Sequence, residues 1–359
     1  MDNFLKISIL LLAIIQVLFL NAAHAQLLNT LKSKIDIFDV SNTTSQKTTI
    51  SSAGPDVTKA KNLVWLTGAS YCFDLSKWSC PYCKKAKGLG YEYAANFSNP
   101  KTNTFGIITV NKAKKEIVVT IRGTFNVANV LEDLVLTQVS LGSGSGAKKS
   151  SEKKKKLKNK IKSALSGGSS SDIKVHKGFL TATKSLYPQI VKVLGALLKK
   201  NKGYSVILSG HSLGAAIASI ALYMLQQKIN LPSNFPTPTS YAYFGYGEPR
   251  VGNKAYADYF NSQKKVQITR IVNKADPICH LATALQGYVH HGTEHWIKPI
   301  TGEKSCSKKV YEDSTCSNSL GPLYNPLDHL QYWDVAYLSC GLKDPIQLLS
   351  QFVVPLSTG

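Results

Sequence analysis

The sequence predicts one large α/β domain, and three stretches carry that prediction. In the first, residues 204–222, Val206-Ile207-Leu208 reads as a buried strand and Gly210-His211-Ser212-Leu213-Gly214 as a tight turn. It continues from Ala215 to Leu222 as a small-residue helix without proline. The other two are buried-strand runs, IVVTI at 117–121 and VQITRIV at 266–272, each ending in a polar turn. A chain of 359 residues, 43% of them hydrophobic, has enough apolar material for the core of such a domain.

In chain order, residues 1–25 read as a signal peptide. Lys6 precedes an apolar run at 7–20, and Ala23-His24-Ala25 fits a small-residue cleavage site. The run is short for a membrane span. The mature chain is expected to begin near Gln26 in the secretory pathway, extracellular or lumenal, where disulfides persist. Residues 26–55 are polar and Ser/Thr-rich, expected as a pro-segment or loose arm. Residues 56–71 read as an amphipathic helix, with Ala60, Leu63, Val64 and Ala69 at helical spacing. A cross-linked loop from Cys72 to Cys83 follows, then strands at 90–96 and 104–110 and a hairpin into 117–121. The stretch 126–136 places Val127, Val130, Leu131 and Leu134 on one face, as a core helix or a lid. Residues 142–172 are low-complexity Gly, Ser and Lys, expected to form a disordered surface loop. A long helix is expected from about Val175 toward Lys200. After the central stretch come a Pro-rich loop at 231–239, a strand at 241–244, a helix reaching Phe260 and the 266–272 strand. The segment 288–297 is strand-like.

The formal charge is +22, from 43 Lys and Arg against 21 Asp and Glu. Between Lys148 and Lys162 lie nine lysines against the single Glu152, a local net of +8. Such a balance favours anionic surfaces, among them acidic lipid or glycan, without implying specific nucleic-acid recognition. The seven cysteines are Cys72, Cys80, Cys83, Cys279, Cys306, Cys316 and Cys340. In a secreted chain they read as disulfides rather than a zinc site, because no second C-x-x-C follows Cys80-Pro81-Tyr82-Cys83. Cys306 with Cys316 and Cys72 with Cys340 are the expected pairs, leaving Cys279 free. Asn42-Thr43-Thr44 and Asn96-Phe97-Ser98 are glycosylation acceptors.

Strand, G-x-S-x-G turn and helix together are the context of a nucleophile elbow, with Ser212 held at its tip. Acyl transfer from such a serine needs two N–H donors aimed at the oxyanion. Leu213, next after the serine, supplies one. Thr124, just past the strand at 117–121, is placed to supply the other. The orienting acid should follow the serine at the carboxyl end of a strand. That selects Asp276 over Asp258, mid-helix, and Asp313, between cysteines. Of the histidines beyond it, His329 follows a turn-rich stretch and opens Leu330-Gln331-Tyr332-Trp333, an apolar anchor. His290, His291 and His295 crowd a strand-like segment that suits packing and hydrogen bonding, and no compact ligand motif supports a metal site from the three; His280 also follows the acid. His176 precedes the serine and reads as structural.

Taken together these residues resemble the fungal-type class 3 lipases. The matching motifs are Arg122-Gly123-Thr124, Val175-His176-Lys177-Gly178-Phe179, the GHSLG elbow, Pro249-Arg250-Val251-Gly252-Asn253, Val272-Asn273 with Asp276-Pro277, Tyr288 through Trp296, and Asp328-His329. They occur in the family's order. The resemblance implies an α/β-hydrolase fold over 56–359, with a mostly parallel central sheet flanked by helices and the Lys-rich segment 142–172 as an insert. It implies a Ser212-Asp276-His329 triad, an oxyanion hole at Thr124 and Leu213, a lid after Thr124, and acyl-ester hydrolysis without cofactor or metal. The expected partner is a lipid or other ester substrate at an interface, met by a monomer. Triacylglycerol lipase, phospholipase A1 and feruloyl-type esterase remain open, as does a silent fold binding polyanions through its lysines. Four features depart from the family. Ala215 replaces a usual glycine, Ile278-Cys279-His280-Leu281 replaces a Pro-rich segment, and neither the Lys-rich insert nor the polar arm before Asp56 is a family feature.

Overall fold

The computed structural model describes residues 55–125, 137–141, 172–300, 302–307, 311–321 and 323–340. The signal peptide, nearly all of the polar arm, Asn42, the amphipathic stretch 126–136 and the insert up to residue 171 lie outside the described residues.

β-branched and aromatic runs build the sheet, because such side chains fill a pleated, half-buried surface. Its strands are β1 (Glu92–Asn99), β2 (Thr104–Asn111), β3 (Glu116–Ile121), β6 (Ser205–His211), β7 (Tyr241–Tyr246), β8 (Gln267–Asn273), β9 (Thr293–Ile297) and β10 (Glu303–Ser305). A small antiparallel pair, β4 (Gln138–Ser140) with β5 (Lys174–His176), stands apart. The eight strands lie in the order β1-β2-β3-β6-β7-β8-β9-β10. From β3 to β9 every neighbour is parallel, and antiparallel hairpins close both edges. The Asn111–Glu116 turn is the hairpin read from the sequence.

Alternation along the central strands sorts side chains to two faces. Ile117, Val119, Ile121, Val206 and Leu208 meet the helices α3 (Lys177–Lys200) and α4 (Leu213–Gln226). Val118, Ile207, Phe244 and Ile271 meet α1 (Val57–Ala69). α1 begins where the Asp56 carboxylate accepts the Lys59 N–H, a side-chain cap for an otherwise orphaned donor. His176 caps α3 likewise, its Nδ1 accepting from Phe179 N at 3.3 Å, so its role is structural as expected. A short helix, α2 (Pro81–Gly88), occupies part of the segment read as a loop. Proline at its first turn and a cysteine at its N-cap start it, and both residues read locally as loop formers. α5 (Lys254–Asn261) follows Asn253, whose side chain accepts from Tyr256 N.

Three disulfides are formed, Cys72–Cys340, Cys80–Cys83 and Cys306–Cys316, while Cys279 is a free, buried thiol. Among the described residues no helix is long and apolar enough to cross a membrane.

Candidate active site

Three strand ends converge at the carboxyl edge of the parallel core, where open α/β sheets form their crevices. β6 runs into Ser212, which sits at φ 59°, ψ −131°, outside the regions an L-residue readily adopts. The strain is tolerated because α4 leaves so abruptly. A Cβ on Gly210 would lie 2.5 Å from the Gly214 backbone, and one on Gly214 would lie 2.2 Å from the Ile121 carbonyl oxygen. Only glycine at both positions lets strand, turn and helix approach so closely. Ala215, the departure from the family pattern, is fully buried and passes its carbonyl to the Tyr243 hydroxyl at 3.0 Å.

β8 ends in Asn273, and the turn after it presents Asp276. One carboxylate oxygen accepts the Ile278 N–H at 2.8 Å. The other takes both His329 Nδ1 at 2.8 Å and the Tyr332 hydroxyl at 2.6 Å. Burial alone would raise its pKa, but the attraction of His329, with the hydrogen bonds from His329, the Tyr332 hydroxyl and the Ile278 N–H, holds the carboxyl below its ordinary value. An ionised Asp276 accepts only, so His329 Nδ1 carries the proton and Nε2 is left as the acceptor. His329 lies in a 3₁₀ turn, Pro326–Leu330, sewn to the acid loop. Asn273 Nδ2 donates to the Asp328 and Gln331 carbonyls, and the Asp328 carboxylate accepts the Ala275 N–H. The turn leads into a small hairpin, β11 (Gln331–Tyr332) with β12 (Val335–Ala336), and a last 3₁₀ turn, Tyr337–Cys340. Ser212, Asp276 and His329 are fully buried. Ser212 Oγ and His329 Nε2 have no hydrogen-bond partner among the described residues.

β3 ends at the same place. A Cβ on Gly123 would come within 2.8 Å of Ser212 Cβ and 2.7 Å of the His211 carbonyl, so the backbone leading into Thr124 lies against the serine. Leu213 is the first residue of α4, and a first-turn N–H has no acceptor within its helix. The Gly123 N–H is occupied. It donates to the Tyr71 hydroxyl at 3.0 Å, and that hydroxyl lies 2.6 Å from His211 Nδ1. Burial pushes the Tyr71 hydroxyl up, so it stays protonated and donates its hydrogen bond to His211 Nδ1. His211 Nε2–H then donates to the His329 carbonyl at 2.9 Å. Burial holds His211 well below the ordinary imidazole range and so neutral, which suits a ring that accepts on one side and donates on the other. Tyr337 stacks on that ring at 3.6 Å between centroids. One chain of hydrogen bonds therefore links the Gly123 turn, the elbow and the backbone of His329.

The other histidines face elsewhere. His290 Nε2 donates to the Cys279 carbonyl, and His295 pairs with Glu303 and Ser305. His291 lies 3.7 Å from Glu248, with burial holding the imidazole down to about 3 and the carboxyl up to about 7. His280 stacks on Tyr324. Asp258 pairs with Lys254 and Tyr311, and Asp313 binds its own loop. Tyr71, His211, Tyr332 and Asn273 had no assigned role in the sequence reading. Three of them carried a signal: His211 inside the GHSLG turn, Asn273 in the Val272-Asn273 motif, and Tyr332 in the apolar anchor after His329.

A serine elbow, a buried His–Asp pair and a strand-end turn at one sheet edge define an α/β-hydrolase. The family model for class 3 lipases matches residues 118–286. The structure is similar to that of a lipase from Rhizopus microsporus var. chinensis, with a TM-score of 0.62 and 30% identity over 83% of this chain and 93% of that one. It is also similar to a triacylglycerol lipase whose catalytic centre is a serine protease triad. There the TM-score is 0.64 and the identity 27%, over 82% of this chain and 99% of that one. The sequence is 28% identical to the Rhizopus niveus lipase over 281 residues, 77% of this chain. That match spans 63% of the length of the Rhizopus niveus protein. The chain belongs to the class 3 lipase family.

Thr124→Ala keeps the backbone N–H and removes only the hydroxyl. Loss of a full oxyanion donor costs about 3–4 kcal/mol. A partial fall in kcat on a soluble ester, smaller than that, is expected if the hydroxyl adds a contact. An unchanged kcat would show that the Thr124 hydroxyl adds nothing to the expected oxyanion hole.

Proposed function

We propose that the protein is a serine hydrolase of lipid carboxylic esters, with Ser212 as nucleophile, His329 as general base and acid, Asp276 as its orienting partner, and Thr124 and Leu213 as oxyanion donors. The observation that carries the reading is a strained elbow serine at the same sheet edge as a buried His329 whose Nδ1 is engaged by Asp276, with Ser212 Oγ and His329 Nε2 both left without a hydrogen-bond partner among the described residues. Ser212 Oγ attacks the ester carbonyl while Nε2 takes its proton. The imidazolium, stabilised by Asp276, returns that proton to the leaving alcohol. Water then enters, is deprotonated by Nε2, and releases the acid from the acyl-enzyme. Similarity to a triacylglycerol lipase favours triacylglycerol among the possible esters. Phospholipid and feruloyl esters are the alternatives. A signal peptide at residues 1–25 would direct the protein into the secretory pathway, and the three disulfides support that reading. The amphipathic pattern of residues 126–136 suits either a core helix or a lid that opens at a lipid surface.

A fluorophosphonate probe and a short-chain p-nitrophenyl ester test the reading directly. Labelling at Ser212 with turnover supports it. A folded protein that neither labels nor turns over is the silent polyanion-binding fold instead. A panel of triglyceride, phospholipid and feruloyl ester then fixes the substrate.

The nine lysines between Lys148 and Lys162 should draw the enzyme to acidic vesicles, at about 1 kcal/mol per Lys close to the surface. Hydrolysis is expected to be faster on anionic than on neutral vesicles. The advantage should shrink with salt, since exposed charges are screened over about 10 Å at 0.1 M. Deleting 148–162 should abolish the preference and spare soluble-ester turnover. Equal vesicle binding by parent and deletion at low salt would refute the docking role.

A further inference from the structure

Two disulfides meet at one corner of the molecule. Cys80-Pro81-Tyr82-Cys83 opens α2. Cys80 is the N-cap, bonded to Cys83, and its Sγ also accepts the Cys83 N–H at 2.9 Å. The second bond ties Cys72 to Cys340 across 268 residues. The Sγ atoms of Cys72, Cys80 and Cys340 all lie within 4.8 Å of one another. Cys80 and Cys340 are partly exposed, whereas Cys72 and Cys83 are buried.

The two bonds do different work. Loop-closure entropy grows with loop length, so a bond between residues three apart restrains the unfolded chain little, while the 268-residue closure restrains it most. What the short bond offers is chemistry. A C-x-x-C pair at a helix N-terminus favours a thiolate, through the dipole and the local N–H, and partly exposed disulfides are the labile ones.

We propose that these four cysteines form a thiol–disulfide exchange relay, carrying reduction from an external dithiol to the Cys72–Cys340 bond. A thiolate of the dithiol attacks Cys80 Sγ, forming a mixed disulfide and expelling the Cys83 thiolate. The reagent's second thiol displaces Cys80, and the reagent leaves as its own disulfide. The Cys80 thiolate attacks Cys340, the more exposed partner of the second bond, expelling Cys72. Cys83 then attacks Cys80, re-forming Cys80–Cys83 and expelling Cys340. One dithiol is oxidised and one disulfide reduced, with two electrons and two protons passing from reagent to Cys72 and Cys340.

The opened bond reaches the site. Cys72 follows Tyr71, whose hydroxyl joins Gly123 N to His211, and Cys340 ends the turn whose Tyr337 stacks on His211. Inside the C-x-x-C, the Tyr82 hydroxyl accepts the Ala336 N–H at 3.0 Å and lies 2.8 Å from both the Ala336 carbonyl and Ser339 Oγ. The relay and the C-terminal turn thus share one hydrogen-bonded seam. Reduction should loosen both aromatic supports of His211 and lower ester turnover. That last consequence rests on the proposed function, whereas the sulfur exchange does not.

The test treats oxidised full-length protein with dithiothreitol under native conditions, quenches by alkylation at intervals, and maps peptides without further reduction. Cys80–Cys83 should open before Cys72–Cys340, and species joining Cys80 to Cys340 or Cys72 should be trapped. Cys83→Ala should form that joined species with no reductant at all. In Cys80→Ala/Cys83→Ala, opening of Cys72–Cys340 should slow by roughly tenfold or more, because an intermolecular attack replaces one between neighbouring sulfurs. Equal rates in parent and double variant, or a Cys83→Ala protein whose Cys80 stays a free thiol, would overturn the relay. Should the variants fail to fold, the order of opening in the parent decides, and Cys72–Cys340 opening first would equally overturn it. Mapping reads the relay whether or not the protein cleaves esters. Turnover followed in the same samples reads the link to the site.

Discussion

Ser212→Ala is expected to lower turnover of a soluble ester by about 10⁶-fold, because the members of such a site act as a unit and removal of the nucleophile alone removes the chemistry. The fold should survive. The residue is fully buried, its hydroxyl has no hydrogen-bond partner among the described residues, and alanine meets the same backbone strain that serine already bears at φ 59°. Unchanged near-ultraviolet circular dichroism with activity at background is the predicted pair of results. His329→Ala should be nearly as severe. If folded His290→Ala or His291→Ala abolished turnover and His329→Ala did not, the assignment of the base would fall.

Asp276→Asn is expected to cost about 10⁴-fold in kcat, because the imidazole is left in the wrong tautomer. The carboxylate accepts from three donors at once: His329 Nδ1, the Tyr332 hydroxyl and the Ile278 N–H. An amide cannot accept from all three. With its oxygen satisfied by Ile278, its NH₂ faces His329 Nδ1 and drives the ring proton to Nε2, where it can no longer take the serine proton. The same substitution has a signature in stability. The Asp276 carboxyl is held below its ordinary value in the folded state, so its contribution is present above the unfolded pKa, about 3.9, and is lost as pH falls through the folded value. Asp276→Asn should therefore flatten the loss of stability on acidification while the parent keeps it. A variant with parent-like kcat, or with the parent's acid dependence of Tm unchanged, would contradict this account.

Much of this site was legible because its parts are local. A strand, a glycine-flanked serine and a helix lie within 204–222, and the periodicity of each is short-range. Asp276 was legible as the acid placed at the end of a strand, and His329 as a histidine set between turn formers and an apolar anchor. Asp258 and His176, set aside on local grounds, have structural partners: one sits in a helix paired with Lys254, the other caps the helix that follows it. The helix α2 was not legible, since Cys80-Pro81-Tyr82-Cys83 reads locally as a loop until the proline is recognised as a first-turn residue.

The sequence by itself determined the α/β class, the elbow and the candidate nucleophile, base and acid. Each rests on residue type and spacing, and those properties belong to segments of about twenty residues or fewer. It also singled out Cys279 as the unpaired thiol. Only the tertiary structure decided what holds these groups in place. Tyr71 and His211 are 140 residues apart, Gly123 and Tyr71 52, Asp276 and Tyr332 56. No periodicity links such pairs; they meet because the parallel sheet brings the ends of β3, β6 and β8 to one edge and a disulfide returns the C-terminal turn to the first helix. The tautomers of His211 and His329, and the sulfur neighbours of Cys80, follow from that folding alone, because they depend on which atoms stand within hydrogen-bonding or van der Waals reach after the chain has closed on itself.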